Sequence, residues 1–318
     1  MTMNKRKLIV LTGPTAVGKT RLSIRLAKET GGEIISADSM QVYRYMDIGS
    51  AKITGEEMEG VPHYLVDILD PKENFNVFCF QKLAKEAMER IYENGHIPIL
   101  VGGTGFYIQS VLYDIDFEDN ENDSSYRKEL EALAREKGAA FLHEMLKEVD
   151  APSAELIHEN NVKRVIRALE YFRQTGMPIS EHNEAERKKE SPYDFCYFVL
   201  NDRRELLYER IEKRVDQMLS NGLVDEVKRL KEMGCSMEHI SMQGLGYKEI
   251  LGYLDGKYDL ERAVYLIKRD TRHFAKRQLT WFHRERDVIF IEKDAFDYQD
   301  DKIIAYMKEC MKRRNLSG

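Results

Sequence analysis

The octet Gly13-Pro14-Thr15-Ala16-Val17-Gly18-Lys19-Thr20 follows closely on the apolar run LIVL at 8–11, and no other feature of the chain limits its fold so tightly. It fits G-x-x-x-x-G-K-[ST], a loop whose glycines let successive backbone N–H groups turn inward around an anion. Such a loop belongs between a buried strand and the N-terminus of a helix. Both are predicted here. Residues 8–11 are short and apolar, as in a parallel strand, and 21–30 carry Leu22, Ile24, Leu26 and Ala27 before Gly31-Gly32. Lys19 is expected at the terminal phosphate, and the Thr20 hydroxyl at Mg²⁺. The spacing specifies phosphate binding and leaves the reaction open.

Strand patterns recur at 33–36, 64–68, 97–101, 193–200 and 288–291, and most are separated by helical patterns such as 78–94 and 106–113. Alternation of apolar strands with helices predicts an α/β fold: a P-loop NTPase-like parallel sheet with helices on both faces. The character changes near Phe117, where EDNENDSSYR is polar and acidic. Residues 124–187 then show only helical patterns, at 126–137, 139–149, 153–159 and 162–174. The expected organisation is a catalytic core from 1–116 and 192–318, with a small all-α insertion at 117–191. Further helices are predicted at 203–221, 224–233, 247–254 and 260–285 in the C-terminal part.

Composition narrows the function. Hydrophobic residues make up 42% and charged residues 33%, enough for a core beneath a charged surface. The net charge of −6 argues mildly against a nucleic-acid binder, but residues 262–286 hold eight Lys or Arg against two acids, a net +6. The four cysteines, Cys79, Cys196, Cys235 and Cys310, show no zinc spacing, so reduced thiols are expected. The run at 8–11 is too short for a signal or a membrane span, which predicts a cytoplasmic protein with no membrane partner. Nothing demands a dimer, and a monomer is expected.

The motif leaves several kinds of P-loop protein open. An ATPase usually places an acid at the end of a buried strand to hold Mg²⁺. Here that strand, IPILV, ends in Gly102-Gly103-Thr104. Asp67 is a substitute metal holder or a turn cap. Asp38, after the second strand, falls at the C-terminal edge of the sheet beside the phosphate loop, as a functional acid or a capping residue.

An ordered set of blocks points further: GPTAVGKT, IISADSMQVYRYMDIGSAK, HYLVDILDP, ILVGGTGFY, LGYKEI and KRQLTWFHRE, running from 9 to 285. Together they resemble the tRNA dimethylallyltransferases, or isopentenyl-tRNA transferases. The P-loop is widely shared, whereas DSMQVYRYMDIGSAK and the pair GGTGFY with KRQLTWF are selective. The resemblance implies transfer of a dimethylallyl group from dimethylallyl diphosphate to N6 of the tRNA adenosine on the 3′ side of the anticodon, with Mg²⁺ and release of pyrophosphate. It implies Asp38 as general base, Thr15, Lys19 and Thr20 as diphosphate holders, and Arg214 near the pyrophosphate. Ser39, Met40, Gln41 and Thr104 would lie at the adenosine. The insertion would contact the anticodon stem-loop through Arg127, Lys163, Arg164 and Arg167, and Lys276 and Arg277 would meet RNA phosphates. Eukaryotic members end in a zinc finger, and Cys310 alone supplies no such set, so the resemblance is to the bacterial type.

The chemistry suits these residues. An allylic diphosphate ionises when its leaving pyrophosphate is neutralised, and a P-loop is a pyrophosphate holder. The adenine amine must shed a proton, which a carboxylate can take. A stacked base must be flipped to reach the crevice. On 262–286, Val264, Ile267, Phe274 and Trp281 suggest a buried stripe, with Lys268, Arg269, Arg272, His273, Lys276 and Arg277 opposite it. The loop at 244–248 is a further RNA-side candidate, in which Tyr247 either packs or stacks. Three other readings remain: a P-loop small-molecule kinase, an adenylate isopentenyltransferase acting on free AMP, and a non-enzymatic RNA-binding NTPase module.

Overall fold

The structure, a computed structural model, describes residues 5–117 and 124–316. Of the polar and acidic segment expected at 118–127, residues 118–123 lie outside them, and 124–127 begin a helix. Two compact units emerge, Met1–Leu112 with Pro192–Gly318, and Tyr113–Ser191. The second begins at Tyr113 rather than at 117.

The larger unit opens with β1 (Arg6–Thr12), α1 (Lys19–Thr30), β2 (Gly32–Ala37), β3 (His63–Tyr64), α2 (Val77–Glu93), β4 (Ile97–Gly102) and α3 (Gly105–Leu112). The smaller unit holds α4 (Ser124–Lys137), α5 (Ala139–Val149), α6 (Ala151–Leu156), α7 (Val162–Thr175) and α8 (Ile179–Lys188). The chain then returns through β5 (Tyr193–Asn201), α9 (Arg204–Ser220), α10 (Leu223–Glu232), α11 (Tyr247–Leu254), α12 (Leu260–Phe282), β6 (Val288–Glu292) and α13 (Asp300–Arg313).

The strands form one parallel sheet in the order β3-β2-β4-β1-β5-β6. Along β1, residues of both parities are excluded from water: Ile9 and Leu11 join Leu26, Met307 and Met311 in one cluster, while Leu8 and Val10 are equally buried. Such unbroken apolar runs are what a sheet covered on both faces requires. The order reverses around β1, which lies between β4 and β5. The loop after β1 therefore opens into the crevice at the carboxyl edge, where open α/β sheets bind ligands.

Three sequence expectations need correction. The strand predicted at 64–68 stops at Tyr64, because Leu65 and Asp67 take φ of 61° and 62°, left-handed values that no strand carries. The helix expected at 153–159 is α6, which starts earlier because Asp150 caps it by accepting the Ser153 N–H at 3.0 Å. The helices α8 and α13 are additions. No residue of α8 is buried, so it had no apolar stripe to read, whereas α13 buries Ile303, Ile304, Met307 and Met311 at helical spacing.

The smaller unit has its own core of Leu130, Leu142, Leu146, Val165, Ile166 and Leu169. Among the described residues no helix is long and apolar enough to cross a membrane.

Candidate active site

The octet after β1 forms a tight loop. Gly18 caps α1 in a left-handed conformation, and Lys19 and Thr20 begin the helix, so the α1 N-terminus points its free N–H groups at the crevice. The Lys19 ammonium donates to the Gly13 and Pro14 carbonyls, each at 2.9 Å. Thr20 is exposed, with Thr15 and Ala16 partly so, and Gly13, Pro14 and Val17 are buried.

Asp38 follows β2, two strands from β1. Its Oδ1 accepts the Met40 N–H at 2.8 Å, closing an Asx-type turn that leaves the carboxylate half-exposed. Arg214 reaches the same crevice from α9. Burial lowers the Lys19 ammonium to about 8, helped by the positive charge of Arg214 and opposed by Asp38. Burial likewise lowers Arg214, opposed by Asp38 and Glu57. The three groups named from separate parts of the sequence therefore share one field: two partly desolvated cations with a carboxylate beside them. Cations whose pKa values burial lowers, gathered at a phosphate-loop motif, suit the binding of an anion.

The glycine turn after β4 completes the crevice. Ala37 and Gly102 are register partners, and the Thr104 N–H donates to the Ala37 carbonyl at 3.2 Å, which seats Thr104 next to Asp38. Helix α12 packs onto this turn at its glycines. A Cβ on Gly103 would lie 2.2 Å from Gln278 Nε2, and one on Gly105 would lie 2.3 Å from the Trp281 ring. The motifs GGTGFY and KRQLTWF are thus the two halves of one contact. Gln278 is 6% exposed; its Oε1 accepts the Thr15 N–H and its Nε2 donates to the Gly103 carbonyl, both at 2.9 Å. Sequence reasoning gave Gln278 no role of its own. A buried amide within KRQLTWF was the available signal.

The loop from 38 to 52 is clamped from behind. Glu226, 2% exposed on α10, accepts N–H groups from Asp47, Ile48 and Gly49 at 2.8–3.1 Å. Tyr247 is fully buried and donates to the same carboxylate; burial, aided by the Glu226 charge, holds its phenol well above the usual range. Tyr247 therefore packs and presents no stacking face. Met40 lies against Gly244. The expectation that Gln41 reads the adenosine meets a competing arrangement: its side chain donates to the Ala51 carbonyl at 3.2 Å and accepts from Ser36 at 3.4 Å. Ser39 is half-exposed. Asp67 pairs with Lys52 at 2.7 Å, and Asp47 shares that lysine at 2.6 Å, so Asp67 serves this loop.

On α12 the buried stripe is Ala263, Ile267, Ala275, Gln278 and Phe282, whereas Val264, Phe274 and Trp281, expected inside, are only partly covered. The stripe is rotated because Gln278 and Trp281 must face the glycine turn. Lys268 and Arg272, expected on the free arc, pair with Asp216 and Glu212 of α9 at 2.6 Å each, and Arg269 pairs with Asp270. A groove of about 400 Å³ remains, lined by His273, Lys276, Arg277, Thr280, Trp281 and Arg284. In the smaller unit, Arg127 makes a two-pronged ion pair with Glu170 of α7 at 2.6 and 2.9 Å, while Lys163, Arg164 and Arg167 are exposed along α7.

Among the described residues no group of three or more His, Cys, Asp or Glu could hold a metal ion. The exposed Thr20 hydroxyl at the helix N-terminus is a donor of the kind that Mg²⁺ uses when it binds mainly through substrate phosphates and water.

A parallel sheet with a G-x-x-x-x-G-K-[ST] loop at its switch point, two cations and a carboxylate in the crevice define a P-loop α/β enzyme that handles a phosphate-bearing substrate. More particularly, the chain belongs to the IPP transferase family, whose model matches residues 41–285. It is 64% identical over 297 residues to a tRNA dimethylallyltransferase of Lachnoclostridium phytofermentans, covering 93% of this chain and 94% of that one. Among solved structures it resembles the tRNA isopentenylpyrophosphate transferase of Bacillus halodurans, at 45% identity and TM-score 0.74 over 98% of each chain. It also resembles a eukaryotic dimethylallyltransferase acting on tRNA, at 32% identity and TM-score 0.78, covering 90% of this chain and 74% of that one.

Proposed function

We infer that the chain is a tRNA dimethylallyltransferase, transferring the dimethylallyl group of dimethylallyl diphosphate to N6 of the adenosine 3′-adjacent to the anticodon. The observation that supports this reading best is Asp38 in the field of Lys19 and Arg214 at the mouth of the phosphate loop. Family membership supports tRNA as acceptor.

In this mechanism the loop N–H groups, Lys19 and Arg214 receive the diphosphate and neutralise the charge that grows on it as the allylic C–O bond breaks. Positioned by Thr104 and the 38–41 turn, the adenine N6 lone pair forms the new C–N bond. Its proton passes to the Asp38 carboxylate, and pyrophosphate leaves with the electron pair of the broken bond. Mg²⁺, held by Thr20 and the diphosphate oxygens, would supply further charge neutralisation. In the larger unit the α12 groove, and in the smaller unit the exposed cations of α7, are each suited to phosphate contacts with the anticodon stem-loop, and the protein acts as a monomer.

Incubation of the purified protein with Mg²⁺, labelled dimethylallyl diphosphate and bulk tRNA, followed by nucleoside mass analysis, tests the reading. Prenylated adenosine should appear with tRNA and not with AMP. Product with AMP would move the assignment to a free-nucleotide transferase. ATP hydrolysis with no transfer to either acceptor would reject the donor.

A further inference from the structure

We propose that Gln278 is a positioning residue that ties the phosphate loop to the glycine turn, so that the leaving diphosphate and the acceptor base are held in one register; this rests on the transferase reading above. The Gln278 amide makes one bond to each side: Oε1 takes the Thr15 N–H and Nε2 gives to the Gly103 carbonyl. The two partners fix its orientation, since only the oxygen can accept from an N–H and only the nitrogen can donate to a carbonyl. From Gly103 the connection continues, because Thr104 N–H donates to the Ala37 carbonyl and Asp38 is the next residue. A hydrogen-bonded path thus runs from the diphosphate loop through Gln278 and the glycine turn to the proton acceptor.

Filling space does not require this side chain. An apolar residue of equal length would fill the same volume without the desolvation cost of a buried amide. Gly103 lacks a Cβ at the one point where Nε2 needs the room. With its N–H committed to Gln278, the Thr15 peptide plane is fixed, and with it the aim of the loop amides that follow. Reacting atoms brought from two separate loops need such a tie, because displacement by about 1 Å can cost on the order of 100-fold in rate.

The test compares wild type with Gln278→Met, which keeps length and loses both bonds, and Gln278→Glu, which keeps an acceptor for Thr15 and loses the donor to Gly103. The readouts are kcat and KM for each substrate, tRNA affinity, pyrophosphate affinity, and amide hydrogen exchange of a peptide spanning the phosphate loop. For Gln278→Met, kcat at saturation of both substrates should fall about 10- to 100-fold and loop exchange should rise. Its tRNA affinity should stay within about threefold of wild type, since the RNA-facing surfaces are untouched. In Gln278→Glu, kcat should fall while loop exchange stays near the wild-type rate. A Gln278→Met enzyme that melts earlier yet keeps wild-type kcat would reduce Gln278 to packing and overturn the proposal. Should Gln278→Met fail to fold, unchanged kcat in Gln278→Glu would overturn it equally. Wild-type protein that binds pyrophosphate but prenylates no tRNA would remove the transferase reading; loop exchange and pyrophosphate affinity in the variants would then still decide whether Gln278 orders the loop.

Discussion

The Tyr247 hydroxyl donates to the Glu226 carboxylate at 2.8 Å, with both residues withdrawn from water. The same carboxylate gathers the N–H groups of Asp47, Ile48 and Gly49, so one side chain fixes the far end of the loop that begins at Asp38. Glu226→Ala would leave three amides and a phenol without their acceptor. The expected loss is about 3 kcal/mol in denaturant unfolding, with a smaller loss for Glu226→Gln, which keeps one acceptor oxygen. Equal midpoints for wild type and Glu226→Ala would show that water or rearrangement satisfies these groups.

Asp38 has two tasks that a single pair of variants separates. Its Oδ1 shapes the turn by accepting the Met40 N–H, and its carboxylate is the proposed proton acceptor. Asparagine can perform the first task and not the second. Turnover of Asp38→Asn should therefore fall by about 10²–10⁴-fold while tRNA affinity holds. Asp38→Ala should lose a similar factor and weaken the turn as well. Near-normal turnover in Asp38→Asn would assign the base elsewhere.

Much of the fold was legible because its signals are local. The phosphate loop, the apolar strands and most helix spans follow from periodicity and capping, which depend on neighbours in the chain. The meeting of Lys19 and Asp38 in one crevice was legible in the same way, since both follow the ends of strands. What the sequence hid depends on partners far along the chain. The pairing of Lys268 and Arg272 with α9 removes two cations from the face they seemed to share. The rotation of α12 toward Gly103 and Gly105 follows from a contact about 175 residues away, which no periodicity encodes. The bonds of Gln41 to Ala51 and of Arg127 to Glu170, residues that the resemblance places at the RNA, likewise join positions that no local pattern pairs.

Lys19 gives the diphosphate affinity a pH dependence. Burial lowers this ammonium to about 8, and an arriving diphosphate favours its charged form. Below pH about 8 the charge is already present; above it, binding must take up a proton, so affinity should decline as pH rises. The ligand titrates too, so the informative quantity is the ratio of wild type to Lys19→Arg, whose charge persists through this range. That ratio should be flat at low pH and fall above about 8. A ratio independent of pH up to 9.5, within Lys19's ordinary charged range, would mean that burial does not lower it.

The groove on α12 separates cations that are free to meet RNA from those already engaged. Lys276 and Arg277 line it and are exposed, whereas Lys268 is held by Asp216. Phosphate contacts release counterions, so the salt dependence of tRNA affinity counts them. Lys276→Ala and Arg277→Ala should each flatten the slope of log K against log salt by about 0.7, the single-strand value per contact. Lys268→Ala should leave the slope unchanged, because its charge already has a protein partner. A slope that falls for Lys268→Ala and holds for Lys276→Ala would place the RNA on the α9 side of the helix instead.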